Sequence, residues 1–212
     1  MKETVVKKVA ELLLEAKAIK LSPEQPFVWS SGWNSPIYCD NRVALSFPDT
    51  RSYIKKAFAA IVSEKYADVD IIVGVATGGI AIGALVADVL NLPFAYVRPE
   101  PKKHGMGNQI EGRIEPGQKV LVIEDLISTG GSSLKVVDVL QAQSIEVAGM
   151  IAIFTYGFEI ADQKFREKGV QLETLSNYDA LITTALELGE VTEAQIEHLA
   201  NWRISPDTWG RD

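Results

Sequence analysis

Short apolar runs, separated by helical segments, constrain the fold of this 212-residue chain more than any other feature. Four of them follow one another at residues 71–76, 94–97, 120–123 and 148–154. Between them lie glycine-rich turns and stretches with helical spacing, a rhythm typical of βαβ units and of a parallel sheet buried on both faces. The sequence therefore predicts a doubly wound, mainly parallel α/β fold.

A smaller N-terminal part precedes these runs. Residues 4–17 carry apolar side chains at helical spacing, and residues 27–38 hold two extended runs around a Gly/Asn turn, which predicts a hairpin. Pro48 and Asp49 then open a helix toward Tyr66. We therefore predict one domain in three parts: an N-terminal hood at 1–66, an α/β core at 67–160 and a C-terminal helical part at 161–212.

The C-terminal part contains Thr192 and Gln195 at the spacing of a capping box, followed by apolar residues at helical spacing. We expect a helix that packs on the domain and closes it. His198, which lies within this stretch, is expected to be a surface or packing residue.

The composition excludes several classes of partner. A formal net charge of -7 argues against broad binding to nucleic acid or to an anionic membrane, because both need a basic face. No stretch approaches the roughly 20 apolar residues that a membrane span needs. The single cysteine, Cys39, cannot form an internal disulfide and fits a reducing compartment, so we expect a cytoplasmic protein in which Cys39 is a structural thiol.

One segment of the chain carries a net positive charge, although the chain as a whole is acidic. Residues 98–113 hold four Lys or Arg residues against two Glu residues, with His104 in addition. A small basic island in an acidic protein suggests a compact anionic ligand.

The sequence contains the same turn, Thr-Gly-Gly, twice, at residues 77–79 and 129–131. Each copy lies between an apolar run and a helical stretch. Glycines at such a junction let backbone N–H groups converge on an anion, and the following helix N-terminus adds a favourable dipole. Because ligands of open α/β sheets lie at the carboxyl ends of the strands, two such turns suggest a ligand with two phosphate groups. Neither Gly-Lys-Ser/Thr nor G-x-G-x-x-G opens these helices, which disfavours P-loop nucleotide hydrolysis and dinucleotide binding.

The second turn is preceded by a pair of acids, Glu124 and Asp125. Carboxylates repel phosphate, so the pair is unusual beside an anion-binding loop. It makes sense if the acids accept hydrogen bonds from ribose hydroxyls while residues 128–133 hold the 5′-phosphate of the same sugar. The acids would also favour positive charge that develops at the sugar carbon when a bond to it breaks.

Residues 124–133 resemble the phosphoribosyl pyrophosphate (PRPP) signature of the type I phosphoribosyltransferases, and the narrower resemblance is to the orotate phosphoribosyltransferase family. Ser31 and Gly32, followed by Ser-Pro-Ile-Tyr at 35–38, resemble the N-terminal signature of that family. A further resemblance, to its mobile catalytic loop, is carried by Arg98, Lys102, His104, Gly105 and Gly107. Together these matches extend from about residue 27 to residue 154.

This resemblance implies that orotate and PRPP react to give orotidine 5′-monophosphate and pyrophosphate, a step of de novo UMP biosynthesis. It implies Mg²⁺ as the cofactor, held mainly through PRPP, and a homodimer in which the mobile loop is shared between subunits. Lys102 and Asp125 are implied as catalytic residues, and Ser128 as a contact of orotate. The residues implied to bind PRPP are Arg98, Lys102, His104, Glu124, Asp125, Leu126, Ile127, Ser128, Thr129, Gly130, Gly131 and Ser132.

Three positions depart from many members of the family. Ser30 stands where a Lys is common, Pro99 replaces a second loop Lys, and Tyr156 lies near where an orotate-binding Arg is common. Each change removes a cation from a site for anionic substrates. We hypothesise that Lys103 restores part of the lost charge, which an unchanged KM for PRPP in Lys103→Ala would refute.

Two other functions stay open at this point. A phosphoribosyltransferase for another base, such as a purine, is argued against by the Ser-Pro-Ile-Tyr signature but favoured by Tyr156. A PRPP-binding regulator without catalysis is argued against by the lack of a basic helix-turn-helix ahead of the core. Asp40 and Arg42 are interpreted either as a structural pair or as part of the base pocket.

Overall fold

The computed structural model describes residues 3–29, 31–100 and 108–210. Its helices are α1 (Glu3–Glu15), α2 (Pro48–Lys65), α3 (Gly78–Leu90), α4 (Gly131–Gln141), α5 (Glu159–Lys168), α6 (Tyr178–Glu187) and α7 (Glu193–Ile204), with a 3₁₀ helix at Asn41–Ser46. Its strands are β1 (Ile19–Leu21), β2 (Phe27–Val28), β3 (Asn34–Ser35), β4 (Ile37–Cys39), β5 (Ile71–Val75), β6 (Phe94–Val97), β7 (Ile110–Glu111), β8 (Lys119–Ile127), β9 (Glu146–Thr155) and β10 (Leu172–Asn177).

The four apolar runs become strands of a single sheet. Its six strands lie in the order β10-β9-β8-β5-β6-β7. All neighbours pair in parallel except β6 and β7, which are antiparallel. The predicted doubly wound, mainly parallel α/β fold is therefore confirmed.

The sheet separates two apolar cores. On β5, Ile71 and Val73 pack into one core with Val136 of α4, whereas Ile72 packs into the other with Val86 of α3. Successive side chains of a strand point to opposite faces, so a strand covered by helices on both sides has to be apolar throughout. This is why the central strands read as continuous apolar runs in the sequence.

The N-terminal hairpin forms as predicted, with β2 and β3 antiparallel. A second antiparallel pair, β1 with β4, lies beside it in the chain and was not predicted. The C-terminal helix α7 begins with the predicted capping box of Thr192 and Gln195. Trp202 of α7 is fully buried, and its indole Nε1 donates to the Asn34 carbonyl at 3.1 Å, so this helix supports the hairpin.

The C-terminal part differs from the helical region that the sequence predicts, because it contributes the edge strand β10 to the sheet. Residues 172–177 read Leu-Glu-Thr-Leu-Ser-Asn, without an apolar run. An edge strand has a strand neighbour along only one of its edges, so it does not need a continuous apolar run. Residues 172–177 form a strand because they pair with β9, and their composition does not indicate one.

Of the helices within the described residues, none combines the length and the apolar character needed to cross a bilayer.

Candidate active site

The site forms where β8 extends past its neighbour β5. The pairing of β5 with β8 ends at Gly74 and Ile123, whereas β9 stays paired with β8 as far as Ile127. Glu124 and Asp125 therefore lie in a stretch of β8 that has β9 on one side and the turn after β5 on the other. Strand β8 is longer than its apolar run predicts, because these polar residues continue the backbone hydrogen bonding with β9.

A cavity of about 290 Å³, the carboxylate cavity, opens at this edge of the sheet. Both Thr-Gly-Gly turns contribute to its wall, as expected for turns at the carboxyl ends of adjacent parallel strands. Its lining residues are Val75, Ala76, Thr77, Gly78, Glu124, Asp125, Leu126, Ser128, Thr129, Gly130, Ser132 and Ser133.

Gly78 lets the first turn approach the acids closely. A Cβ atom at this position would lie 2.2 Å from the carboxyl carbon of Asp125, so the carboxylate would have to move to make room for it. The glycine therefore allows the Asp125 carboxylate to take the position that it has here.

Glu124 is held in one orientation by two hydrogen bonds. Its Oε2 accepts from the Ser133 hydroxyl at 2.8 Å, and its Oε1 accepts from the backbone N–H of Asp125 at 3.0 Å. Burial raises the pKa of Glu124 well above its ordinary value, and the neighbouring charge of Asp125 raises it further. The carboxyl of Glu124 therefore ionises less readily than that of an ordinary glutamate.

The second turn has the geometry of an anion-binding loop. Gly130 takes a φ of +75°, which favours glycine, and directly precedes the first residue of α4. Within the described chain, no acceptor is hydrogen-bonded to the backbone N–H groups of residues 128–132. These donors and the N-terminus of α4 together favour a bound anion.

A larger cavity of about 570 Å³, the aromatic cavity, adjoins the first and shares Leu126, Ser128 and Thr129 with it. Its other lining residues are Val28, Trp29, Ser31, Trp33, Tyr38, Cys39 and Tyr156. The hairpin thus supplies one wall and the ends of β8 and β9 the other. Flat aromatic walls beside an anion-binding loop suit a planar ring attached to a phosphorylated sugar.

Comparison with known proteins agrees with this geometry. The family model described as a phosphoribosyl transferase domain matches residues 50–185. Orotate phosphoribosyltransferase of Porphyromonas gingivalis is 53% identical over 208 residues, which cover 98% of this chain and 99% of that protein. The chain belongs to the orotate phosphoribosyltransferase family.

Two further members of the family are similar to this chain in sequence or in structure. Orotate phosphoribosyltransferase of Lactococcus lactis subsp. cremoris is 51% identical over 206 residues, which cover 97% of this chain and 99% of that protein. Among solved structures, orotate phosphoribosyltransferase from Aeropyrum pernix has a TM-score of 0.74 at 31% identity, covering 87% of this chain and 99% of that one. The similarity therefore extends over the hood, the sheet and the C-terminal helices.

The structure brings most of the PRPP-binding residues expected from this family around the carboxylate cavity. Ile127 and Gly131 do not line it, since Ile127 is fully buried in the core and Gly131 begins α4. Arg98 follows β6, where its Nε lies 3.6 Å from Oε1 of Glu111 and its guanidinium lies over Tyr96. Lys102 and His104 lie outside the described residues, as do Ser30 and Lys103.

Tyr156, one of the three departures from the family pattern, lines the aromatic cavity. It is only 2% exposed and packs between Trp29, Phe158 and Trp202, with ring centroids 5.1 to 5.6 Å away. Burial raises the pKa of its hydroxyl well above the ordinary value. The hydroxyl therefore stays protonated and able to donate at neutral pH.

Asp40 and Arg42 form the ion pair that one of the two interpretations of the sequence expects. The Arg42 Nε and Nη2 donate to the two Asp40 carboxylate oxygens at 2.7 and 2.8 Å. Hydrogen bonding from Arg42 lowers the pKa of Asp40. Neither side chain lines the aromatic cavity.

Sequence reasoning missed two residues that support the site. Asn41, next to this pair, donates from Nδ2 to the Asp125 carbonyl at 2.6 Å. Lys164 of α5 donates from Nζ to the Thr129 carbonyl at 3.2 Å. Their partners lie 84 and 35 residues away in the chain, so no local pattern marks either of them.

Proposed function

We propose that the protein transfers the 5-phosphoribosyl group of PRPP to orotate, releasing pyrophosphate and forming orotidine 5′-monophosphate for UMP synthesis. The observation that carries this proposal is the position of Glu124 and Asp125 in the same cavity as the loop at 128–133. A sugar phosphate satisfies both features, because its hydroxyls donate to carboxylates and its phosphate accepts from the N–H groups.

The chemistry needs charge of both signs. The C1–O bond of PRPP breaks with its electron pair going to pyrophosphate, the C1–N1 bond to orotate forms, and the N1 proton passes to water or to the departing pyrophosphate. Positive charge develops on the ribose ring, and we assign its stabilisation to the carboxylate of Asp125. Glu124, fixed by Ser133, orients the ribose hydroxyls.

The leaving pyrophosphate requires cations. We assign Lys102 to this role, with Arg98 and His104 as further contacts of PRPP. The first Thr-Gly-Gly turn, with Thr77 and Gly78 in the cavity wall, offers a second set of backbone donors to the diphosphate. Water is excluded when these groups surround the substrate, which prevents hydrolysis of PRPP.

Mg²⁺ fits the donors that the site offers. Glu124 and Asp125 provide carboxylate oxygens beside hydroxyl-bearing residues, and Mg²⁺ prefers oxygen ligands. A cation that enters with the diphosphate suits this arrangement, and when bound it neutralises charge on the leaving group.

The aromatic cavity is the proposed binding site for orotate. It joins the carboxylate cavity at Leu126, Ser128 and Thr129, so a base placed there lies next to a ribose held by Asp125. Ser128 is the proposed polar contact of the base. We further propose that the protein acts as a homodimer in which the loop around Lys102 completes the partner's site. A cytoplasmic location stays a prediction from the sequence.

A pyrophosphate-release assay tests the function. The purified protein is incubated with PRPP and Mg²⁺, and each of orotate, uracil, adenine, hypoxanthine and xanthine is added separately. Release with orotate alone is the expected result. Release with a purine would support the transfer reaction but show that the assignment of orotate as the substrate is wrong. No release with any base would favour a PRPP-binding regulator.

A further inference from the structure

The Thr129–Gly130 peptide of the phosphate loop is held from outside the loop. The Lys164 Nζ donates to the Thr129 carbonyl at 3.2 Å. The helix that carries Lys164 packs close to the same peptide, since a Cβ atom added at Gly130 would lie 3.1 Å from the Phe165 ring and 3.7 Å from the Cα of Ala161. This contact is specific to α5 and does not depend on the helix that follows the loop.

The contact determines where the neighbouring N–H group points. The first hydrogen bond of α4 at this end runs from the Leu134 N–H to the Gly130 carbonyl at 3.0 Å, so the Thr129 carbonyl is left to Lys164. In a trans peptide the C=O and the N–H point in opposite directions. A Thr129 carbonyl turned toward α5 therefore directs the Gly130 N–H away from α5, on the side where Gly130 lines the carboxylate cavity.

Electrostatics favours the same conclusion. The described lining of the carboxylate cavity contains two carboxylates and no Lys, Arg or His. A phosphate dianion bound there needs positive charge nearby. Lys164 is half-buried and forms no ion pair with a described carboxylate, unlike Lys168 on the same helix, which contacts Asp138 at 2.5 Å. Its charge is therefore available to the loop.

We propose that Lys164 is a positioning residue for the 5′-phosphate of PRPP. It holds the Thr129–Gly130 peptide with its N–H directed at the phosphate, and its ammonium group supplies positive charge behind the loop. This inference rests on the proposed function, because that function places the 5′-phosphate in this loop.

The test compares binding of the two phosphate-bearing halves of PRPP. Ribose 5-phosphate and pyrophosphate are titrated separately, with Mg²⁺ present, into the wild type and into Lys164→Met, Lys164→Arg and Lys168→Met by calorimetry. Lys164→Met should weaken ribose 5-phosphate binding about tenfold, because it removes both the charged hydrogen bond that holds the Thr129–Gly130 peptide and the positive charge behind the loop. Its affinity for pyrophosphate should stay unchanged. Lys164→Arg should retain most of the ribose 5-phosphate affinity, and Lys168→Met all of it.

Steady-state kinetics give a second measurement. Lys164→Met should raise KM for PRPP about tenfold with little change in kcat, because the lost contact is present in both ground state and transition state. Lys164→Gln replaces Lys164→Met in both experiments if the latter does not fold.

Two results would overturn the inference while leaving the function intact. One is equal affinity for ribose 5-phosphate in Lys164→Met and the wild type. The other is an equal loss for ribose 5-phosphate and pyrophosphate, which would indicate a general structural role for Lys164. A wild-type protein that binds neither ligand and releases no pyrophosphate would overturn the proposed function and this inference together.

Discussion

A hydrogen bond of 2.6 Å joins the Asn41 side chain to the main chain of Asp125, across 84 residues of sequence. Asn41 is 2% exposed, and its Oδ1 accepts from the Cys39 thiol at 3.4 Å. The 3₁₀ helix of the hood thus fixes the backbone at the residue that we assign to the ribose. Because the peptide of Asp125 cannot rotate without breaking this bond, Asn41 helps to set the direction of the carboxylate.

We predict that Asn41→Ala lowers kcat/KM about tenfold, since a hydrogen bond of this kind contributes roughly 1–2 kcal/mol when its loss leaves a buried acceptor unsatisfied. The control is Ser176→Ala, which removes a buried hydroxyl that bonds the Val6 carbonyl of α1, away from both cavities. Thermal unfolding should show similar destabilisation in both variants, whereas steady-state assays should show the kinetic loss in Asn41→Ala. An equal loss of kcat/KM in both variants would mean that Asn41→Ala acts only through general destabilisation of the fold.

Tyr156→Phe should raise KM for orotate about tenfold and leave KM for PRPP unchanged, because it removes a polar group from the wall of the aromatic cavity while keeping the ring. Tyr66→Phe is the matched control, since Tyr66 is also buried but does not line this cavity. Steady-state kinetics with each substrate varied in turn make the comparison. An unchanged KM for orotate would assign Tyr156 to packing with Trp29 and Trp202 alone.

Glu124 should make the stability of the ligand-free protein fall as pH rises. Its pKa is raised in the folded state, so above the ordinary carboxyl pKa the folded protein binds more protons than the unfolded chain. The free energy of unfolding then decreases with rising pH until the folded-state pKa is passed. Glu124→Gln removes this dependence. The free energy of unfolding of Glu124→Gln relative to the wild type should therefore increase from pH 5 to pH 8, an interval of about 3 pH units, as measured by urea denaturation.

An exposed residue provides the reference for that measurement. Glu197→Gln changes a solvent-exposed carboxyl on α7 and should leave the pH dependence of the wild type in place. If Glu124→Gln and the wild type have parallel stability curves, the carboxyl of Glu124 ionises equally well in the folded and unfolded states, and its burial does not oppose ionisation.

The shared loop can be tested by mixing two inactive variants, Lys102→Ala and Asp125→Asn. If the loop completes the partner's site, each mixed dimer has one intact site and one doubly defective site. Random mixing makes about half of the dimers mixed, so roughly a quarter of wild-type activity should return. A loop that closes over its own subunit leaves every site defective, and the mixture would stay inactive in the pyrophosphate-release assay.

The sequence by itself determined the features that depend on neighbouring residues. Apolar runs predict the buried parallel strands, Thr192 and Gln195 predict the capping box, and the Thr-Gly-Gly turns predict donors at the carboxyl edge of the sheet. Each of these follows from local geometry or from the period of the side chains, which a short stretch of chain contains in full.

The tertiary structure alone decided which distant groups meet. β10 became a strand only by pairing with β9, because its polar residues carry no strand pattern of their own. Asn41 reaches Asp125, Lys164 reaches Thr129 and Tyr156 forms a wall of the aromatic cavity because the sheet brings separate segments to one edge. A hydrogen bond between residues far apart in the chain leaves no periodic signal in the sequence, so the supporting roles of Asn41 and Lys164 were visible only in the folded protein.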